Sequence, residues 1–333
     1  MQSPGLVKAL TALAILAGAL MLSPGALSAG HADSLRIAYF QQWPAPVQFA
    51  QAKKTLDGVL DTEVEWVAFR SGHEMAQALA SGDVHIAYSL GHVPFTVALS
   101  SGAPLSMVGI AVSYPGDDNC LVGEGTRIDR NNASQLAGKS VAVRPGSVSH
   151  FRMQKMLEKL GVDPGSVRIL PVSDGAAAVA ALRQGDAVMA CAYGKALADL
   201  SAYGKPLLDA AELDSMGLKL FDVIAVENGF LKEHAAVVQS FMEVVAAAND
   251  QWARSPDSML RMIAKAAYMD RKSARVALDG FQFPTPAEQK SAAWMGDHVA
   301  SYTADIAAFF AGRGQLANTL ADYSPAVTTD FLR

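Results

Sequence analysis

One stretch constrains this chain more than any other. Ser71 to Gly91, SGHEMAQALASGDVHIAYSLG, returns as DGAAAVAALRQGDAVMACAYG from Asp174 to Gly194. At a constant offset of 103 residues, Gly72, Ala78, Leu79, Gly82, Asp83, Ala87 and Gly91 recur as Gly175, Ala181, Leu182, Gly185, Asp186, Ala190 and Gly194. Each copy reads as a short helix, a Gly-Asp break, a buried strand and a glycine where another helix starts. Helix-Gly-Asp-strand is common turn chemistry in α/β proteins. An ungapped match across two supersecondary elements is not, and it predicts two lobes built on one plan with like loops facing each other across a cleft.

The flanking segments extend the plan. Leu35–Phe40 reads as a buried strand, Gln41–Pro46 as a proline-held loop, Val47–Leu56 as a helix and Glu63–Phe69 as a strand. Ser71 with Glu74 reads as a capping box. Val84–Tyr88, a helix over Val93–Leu99 and a strand over Leu105–Val112 follow. The second copy runs through Ser140–Val143, a loop over Arg144–His150, a helix from Phe151 to Leu160 and a strand over Val167–Leu170. Strands alternating with helices predict parallel sheets with right-handed crossovers. After Leu220–Val226 the pattern turns helical (230–252, 258–268, 271–278, a restart at Thr285-Pro286, and 304–313) and is expected to pack back on the first lobe.

Composition excludes several classes. The chain has 333 residues, half of them apolar, and a net charge of −5 with no dense Lys/Arg block, so neither nucleic acid nor an anionic membrane is expected as a partner. Residues 1–32 read as a secretory signal peptide: Lys8, an apolar run from Ala9 to Met21, a Ser23-Pro24-Gly25 break, and Gly30 and Ala32 before a cleavage site. Cys120 and Cys191 are the only cysteines. Export permits a disulfide between them, but their place at the ends of separate strands leads us to expect buried free thiols. The seven histidines are dispersed, so no metal or other cofactor is expected. No Gly-x-Ser-x-Gly, His-Glu-x-x-His or Gly-x-Gly-x-x-Gly pattern supports an enzyme.

In open α/β sheets, ligands bind beyond the carboxyl ends of strands. That rule nominates Gln41, Gln42, Trp43, Ser89 and His92 from the first lobe. Ser147, Ser149, His150, Tyr193 and Lys195 come from the second, and Asn119 and Asp222 from the connections. The serines and the backbone N–H groups leading into the following helix suit an anion. Trp43, Phe40 and Tyr193 can wall a pocket or stack on a cation. Asp222 can hold an ammonium. Asp117-Asp118 reads instead as a solvated hinge turn, and Ser147 and Ser149 serve equally well as helix caps.

The motifs AYFQQWPAPVQFAQA, FRSGHEMAQALASGDVHIAYSLGHVPFTVA, SVSHF, FDVIAVENGFLKEH and ADYSPAVTTDFL resemble those of periplasmic taurine-binding proteins of ABC importers, within the sulfonate/nitrate/thiamine-precursor substrate-binding family. The likeness covers the whole mature chain. It implies a two-lobed α/β periplasmic-binding-protein-like fold (type II) with two crossovers. One lobe would comprise 33–117 and 223–333, the other 118–222. It also implies a monomeric, periplasmic, non-enzymatic binder that delivers taurine or a related small sulfonate to a membrane ABC permease. Gln41, Gln42, Ser147 to His150 and Asp222 match the pattern, Asp222 at a position that helps hold the amine. Two positions depart from it: Asn119 stands where a Glu is expected, and Tyr193-Gly194-Lys195 replaces Trp-Ala-Pro. Those departures shift the expected ligand toward more anionic character. The alternatives are a thiamine-precursor pyrimidine or aromatic sulfonate, a secreted enzyme on the same fold, and a sensor module feeding a membrane receptor.

Overall fold

The computed structural model describes residues 34–333 apart from Gln42, so the expected signal peptide lies outside the described residues. The first part of the chain forms β1 (Leu35–Phe40), α1 (Val47–Ala52), α2 (Thr55–Leu60), β2 (Val64–Phe69), α3 (Gly72–Ala80), β3 (Ile86–Gly91), α4 (His92–Ser100) and β4 (Leu105–Ser113). The single helix expected over Val47–Leu56 is two. Lys54 takes a left-handed conformation at their junction, where the α1 ladder stops.

The middle of the chain supplies β5 (Asp118–Gly123), β6 (Ser140–Val143), α5 (Val148–Lys159), β7 (Arg168–Pro171), α6 (Gly175–Gln184), β8 (Met189–Tyr193), α7 (Gly194–Leu200), β9 (Gly204–Pro206) and α8 (Ala210–Ser215). Helix α5 starts three residues before the expected Phe151, because the Ser147 side chain accepts from the His150 N–H and caps it there. Strand β10 (Phe221–Glu227) is followed by α9 (Asn228–Glu233), α10 (Ala235–Arg254), α11 (Pro256–Ala266), α12 (Arg271–Asp279), α13 (Pro286–Gln289) and α14 (His298–Ala311).

Two five-stranded sheets result, in the orders β2-β1-β3-β10-β4 and β7-β6-β8-β5-β9. The expectation of parallel sheets holds only in part. β1 is parallel to β2 and β3, and β6 to β7 and β8, as the repeat implied. β10 runs antiparallel to both neighbours in the first sheet, and β5 to both of its neighbours in the second. The reason is topological: each is the strand with which the chain enters a sheet from the other one. The fold is thus a two-lobed α/β architecture with two crossovers, and β10 and β5 hold corresponding places beside the repeated strands β3 and β8.

The repeat does what its residue types suggest. Ser71 and Asp174 cap α3 and α6 through the N–H groups of Glu74 and Ala177, although Ser71 and Glu74 make only half of the expected capping box. Gly82 and Gly185 turn the chain at φ +79° and +80°, where a side chain would be strained. Gly72 and Gly175 let the next helix approach: an added Cβ would sit 2.8 Å from Pro94 Cγ or 2.4 Å from Ala196 Cβ.

The C-terminal helices pack on the first sheet's layers, as expected. A large core unites Ile37, Ile86, Ile224 and Phe241 with Tyr302, Phe310 and Tyr323. It also takes in Phe151 from α5, whose ring meets Tyr302 and Phe309 of α14. Cys120 and Cys191, expected as free thiols, form a disulfide. They face each other across β5 and β8 with Cα atoms 4.0 Å apart, a proximity fixed by strand pairing and invisible in a separation of 71 residues.

Candidate functional site

The strand ends of both sheets converge on a cavity of about 390 Å³ lined by residues of each lobe and of both crossovers. Phe40, Trp43, Ser89, His92 and Asp222 reach it from the first sheet, and Ser147, Ser149 and Tyr193 from the second. Tyr114 and Asp117 come from the crossover between β4 and β5, and Lys219 and Leu220 from the one leading into β10.

Asp222 is at the centre of the first-lobe wall. It lies in β10 opposite Gly91, not in a connection, and is 2 % exposed. Its carboxylate accepts from Ser89 Oγ at 2.7 Å on one oxygen and from the Tyr114 hydroxyl at 2.7 Å on the other, with Trp43 as a further donor. Ser89 reaches it because β3 bulges there: Leu90 pairs with Val223 and Tyr88 with Ile224, leaving Ser89 unpaired at φ +63°. Such strain costs of order 1–3 kcal/mol, and it aims the hydroxyl at the acid. Burial, against which the three hydrogen bonds work, raises the Asp222 pKa from its ordinary 3.8 to about 6.

Asp118, which opens β5 opposite Tyr193, is not the solvated turn residue the sequence suggested. It is 5 % exposed and paired with Arg152, which is equally buried, at 3.2 Å. Ser149 Oγ donates to its other oxygen. Arg152 also donates to the carbonyls of Asp118 and Leu218, at 3.0 Å for Leu218, which ties both crossovers to α5. Asp117 is half-buried, and burial together with Asp118 raises its pKa to about 6.

The cationic side of the cleft is built around the start of α5. Arg144 lines the cavity from the loop after β6, beside Ser147 and the first N–H groups of this twelve-residue helix. Lys219 also reaches the cavity, but its ammonium is held by Asp214 at 2.9 Å and lies 4.3 Å from the Trp294 ring centre.

Several nominated residues have other employment. Gln41 accepts from Arg70, Asn119 donates to the Leu208 carbonyl, and neither lines the cavity. His150 accepts from the Gly146 N–H and packs edge-on against Phe309; burial lowers its pKa to about 4. The Lys195 side chain is 86 % exposed and paired with Asp199 four residues on. Gln42 lies outside the described residues. His92 does line the cavity, stacked on Phe221 and bonded to Thr303 at 2.7 Å; burial drives its pKa down to about 3, so it is a neutral wall. Arg144, Tyr114 and Lys219 were missed by sequence reasoning. Arg144 was within reach of it, because it is the first residue beyond a strand's carboxyl end, where ligand contacts are expected. Among the described residues, no group of three or more His, Cys, Asp or Glu is placed to hold a metal ion.

A cleft between two α/β lobes, lined from both lobes and both crossovers by carboxylates and by a helix start with an arginine beside it, defines a solute-binding architecture. The chain belongs to the NMT1/THI5-like family, whose family model matches residues 61–259. It is 29% identical over 308 residues to the taurine-binding periplasmic protein of Escherichia coli (strain K12), covering 91% of this chain and 93% of that one. In structure it is similar to the periplasmic aliphatic sulphonate binding protein SsuA from Escherichia coli, with a TM-score of 0.66, 20% identity, and 86% and 95% of the two chains covered. A desulfurization enzyme, DSZB, shares the fold at a TM-score of 0.60 and 16% identity, over 90% of this chain and 97% of its own.

Proposed function

We propose that this protein is the exported, periplasmic solute-binding component of an ABC importer, capturing a small amine-bearing sulfonate of the taurine class and passing it to a membrane permease. One observation carries the reading: unlike charges line the one cleft. Asp222 lines it from the first sheet and Asp117 from the crossover, Arg144 and the α5 N-terminus from the second lobe, within a cavity large enough for a small zwitterion. The sulfonate would take the Arg144 guanidinium, the Ser147 hydroxyl and the helix N–H groups, where the dipole favours negative charge. The ammonium would face the carboxylates. Because residues of both lobes line the cavity, a ligand that touches both lobes favours the closed arrangement and shifts the hinge equilibrium toward it. The first lobe takes in 33–117 and the chain from β10 onward, Asp222 included, and the second runs from 118 to the start of β10; a signal peptide over 1–32 precedes them, and the protein works as a monomer without covalent chemistry. The likeness to the taurine-binding relative over nearly all of both chains supports this assignment.

Thermal shift and calorimetry with taurine, alkanesulfonates, nitrate and a thiamine-precursor pyrimidine test it. A ligand present at 100 times its Kd should raise stability by about 2.7 kcal/mol. A response to the pyrimidine and none to any sulfonate would sink the proposal. The desulfurization enzyme on the same fold makes an enzyme the second reading; product formation from a bound sulfonate would establish it and remove the pure binder.

A further inference from the structure

Three aspartates line the cavity, and the structure commits two of them to other partners. Asp222 is turned into the protein: Ser89 donates to one of its oxygens and Tyr114 to the other, each at 2.7 Å. It is also 2 % exposed, which leaves almost no edge for a ligand. Asp118 is consumed by Arg152 and Ser149. Asp117 has neither a donor nor a counter-ion on its carboxylate among the described residues, yet it is half-buried and lines the cavity.

Its backbone is fixed on both sides. The Asp117 N–H donates to the Tyr114 carbonyl at 3.0 Å, and its carbonyl accepts from the Gly194 N–H at 2.8 Å. The same short turn that sends the Tyr114 hydroxyl to Asp222 therefore presents Asp117 to the cleft in a set direction. A half-buried carboxylate without a cation is costly in the empty protein, and a ligand cation removes that cost.

We infer that Asp117, not Asp222, makes the direct contact with the ligand's ammonium group and thereby sets a preference for amine-bearing over amine-free sulfonates; this rests on the sulfonate-binding reading above. Asp222 acts from behind as a buried charge held in position by Ser89 and Tyr114. The rings of Trp43 and Tyr114 pack at a tilt of 34° with centroids 5.3 Å apart, and both residues line the cavity.

Titration calorimetry of the whole mature chain with taurine and with ethanesulfonate, the same molecule without its amine, tests the assignment. Asp117→Asn should weaken taurine binding about 10- to 100-fold, the value of one charge-assisted hydrogen bond, while ethanesulfonate binds as before or tighter. Asp117→Glu should restore part of the loss, and a melting temperature of each variant no lower than the wild type's shows that folding is intact. A wild-type taurine-to-ethanesulfonate ratio in Asp117→Asn overturns the inference, as does a ratio that collapses in Asp222→Asn but not in Asp117→Asn. If the wild-type chain binds neither compound, the sulfonate reading itself falls and takes the inference with it.

Discussion

Replacing Asp222 by Asn should make the empty protein more stable at neutral pH. The native fold holds this carboxylate at 2 % exposure and raises its pKa from 3.8 to about 6, with burial outweighing the hydrogen bonds from Ser89, Tyr114 and Trp43. Its folded pKa lies above the unfolded one, so the native state binds the proton more tightly, and wild-type stability falls as pH rises from 4 through 6. Charging the group at pH 7 thus costs about 2–3 kcal/mol. Asn keeps the shape and stays neutral: its carbonyl accepts from one hydroxyl and its amide donates to the other, which can rotate. Asp222→Asn should therefore gain about 2–3 kcal/mol at pH 7, roughly 3–5 °C in Tm for a chain of this length. The gain should shrink toward nothing at pH 4, where the wild-type carboxyl is itself protonated in the fold. Urea and thermal unfolding of both proteins across pH 4 to 8, without ligand, make the comparison. A variant that is less stable at pH 7, or a gain that persists unchanged at pH 4, would falsify the argument. Such a cost at a binding site is an ordinary exchange of stability for function.

Arg152→Leu should be destabilised by about 3–5 kcal/mol at pH 7, since it strands Asp118 as a buried charge. Adding Asp118→Asn should return much of that loss in urea unfolding, because the uncompensated charge goes too. Cys191→Ser, or reduction of the wild type, should lower stability by about 4 kcal/mol, the unfolded-chain entropy released by opening a loop of this length; equal melting with and without reductant would argue against the bond. Arg144→Gln should weaken sulfonate binding about tenfold and flatten its salt dependence, both read by calorimetry at two ionic strengths.

Much of the fold of both lobes can be read in the sequence, because local rules govern it. The Ser71 and Asp174 caps, the Gly82 and Gly185 turns and the apolar strands β1, β3, β6 and β8 each depend on residues within one turn or one strand. Lys54 is a local exception, a left-handed lysine that no residue preference announces. At the site, Trp43, Ser89, His92, Ser147, Ser149, Tyr193 and Asp222 were reachable from the rule that ligands meet strand ends, and all line the cavity. Gln41, Asn119, His150 and Lys195 satisfied the same rule and found other partners, because a position at a strand end does not say which way a side chain turns.

The sequence by itself determined that two lobes repeat one plan and that Ser71–Gly91 and Asp174–Gly194 stand in equivalent places. Spacing carries that information, since side-chain periodicity and turn chemistry act over a few residues. Only the tertiary structure decided what fills the cleft. It ran β10 and β5 antiparallel into their sheets, and so set Asp222 beside Ser89 and Cys120 beside Cys191 across separations of 133 and 71 residues. It buried Asp118 on Arg152 and left its neighbour Asp117 without a side-chain partner among the described residues, in the cavity. Three aspartates of one type thereby received three different electrostatic roles, because burial and partner, which set a carboxylate's behaviour, are properties of the folded chain.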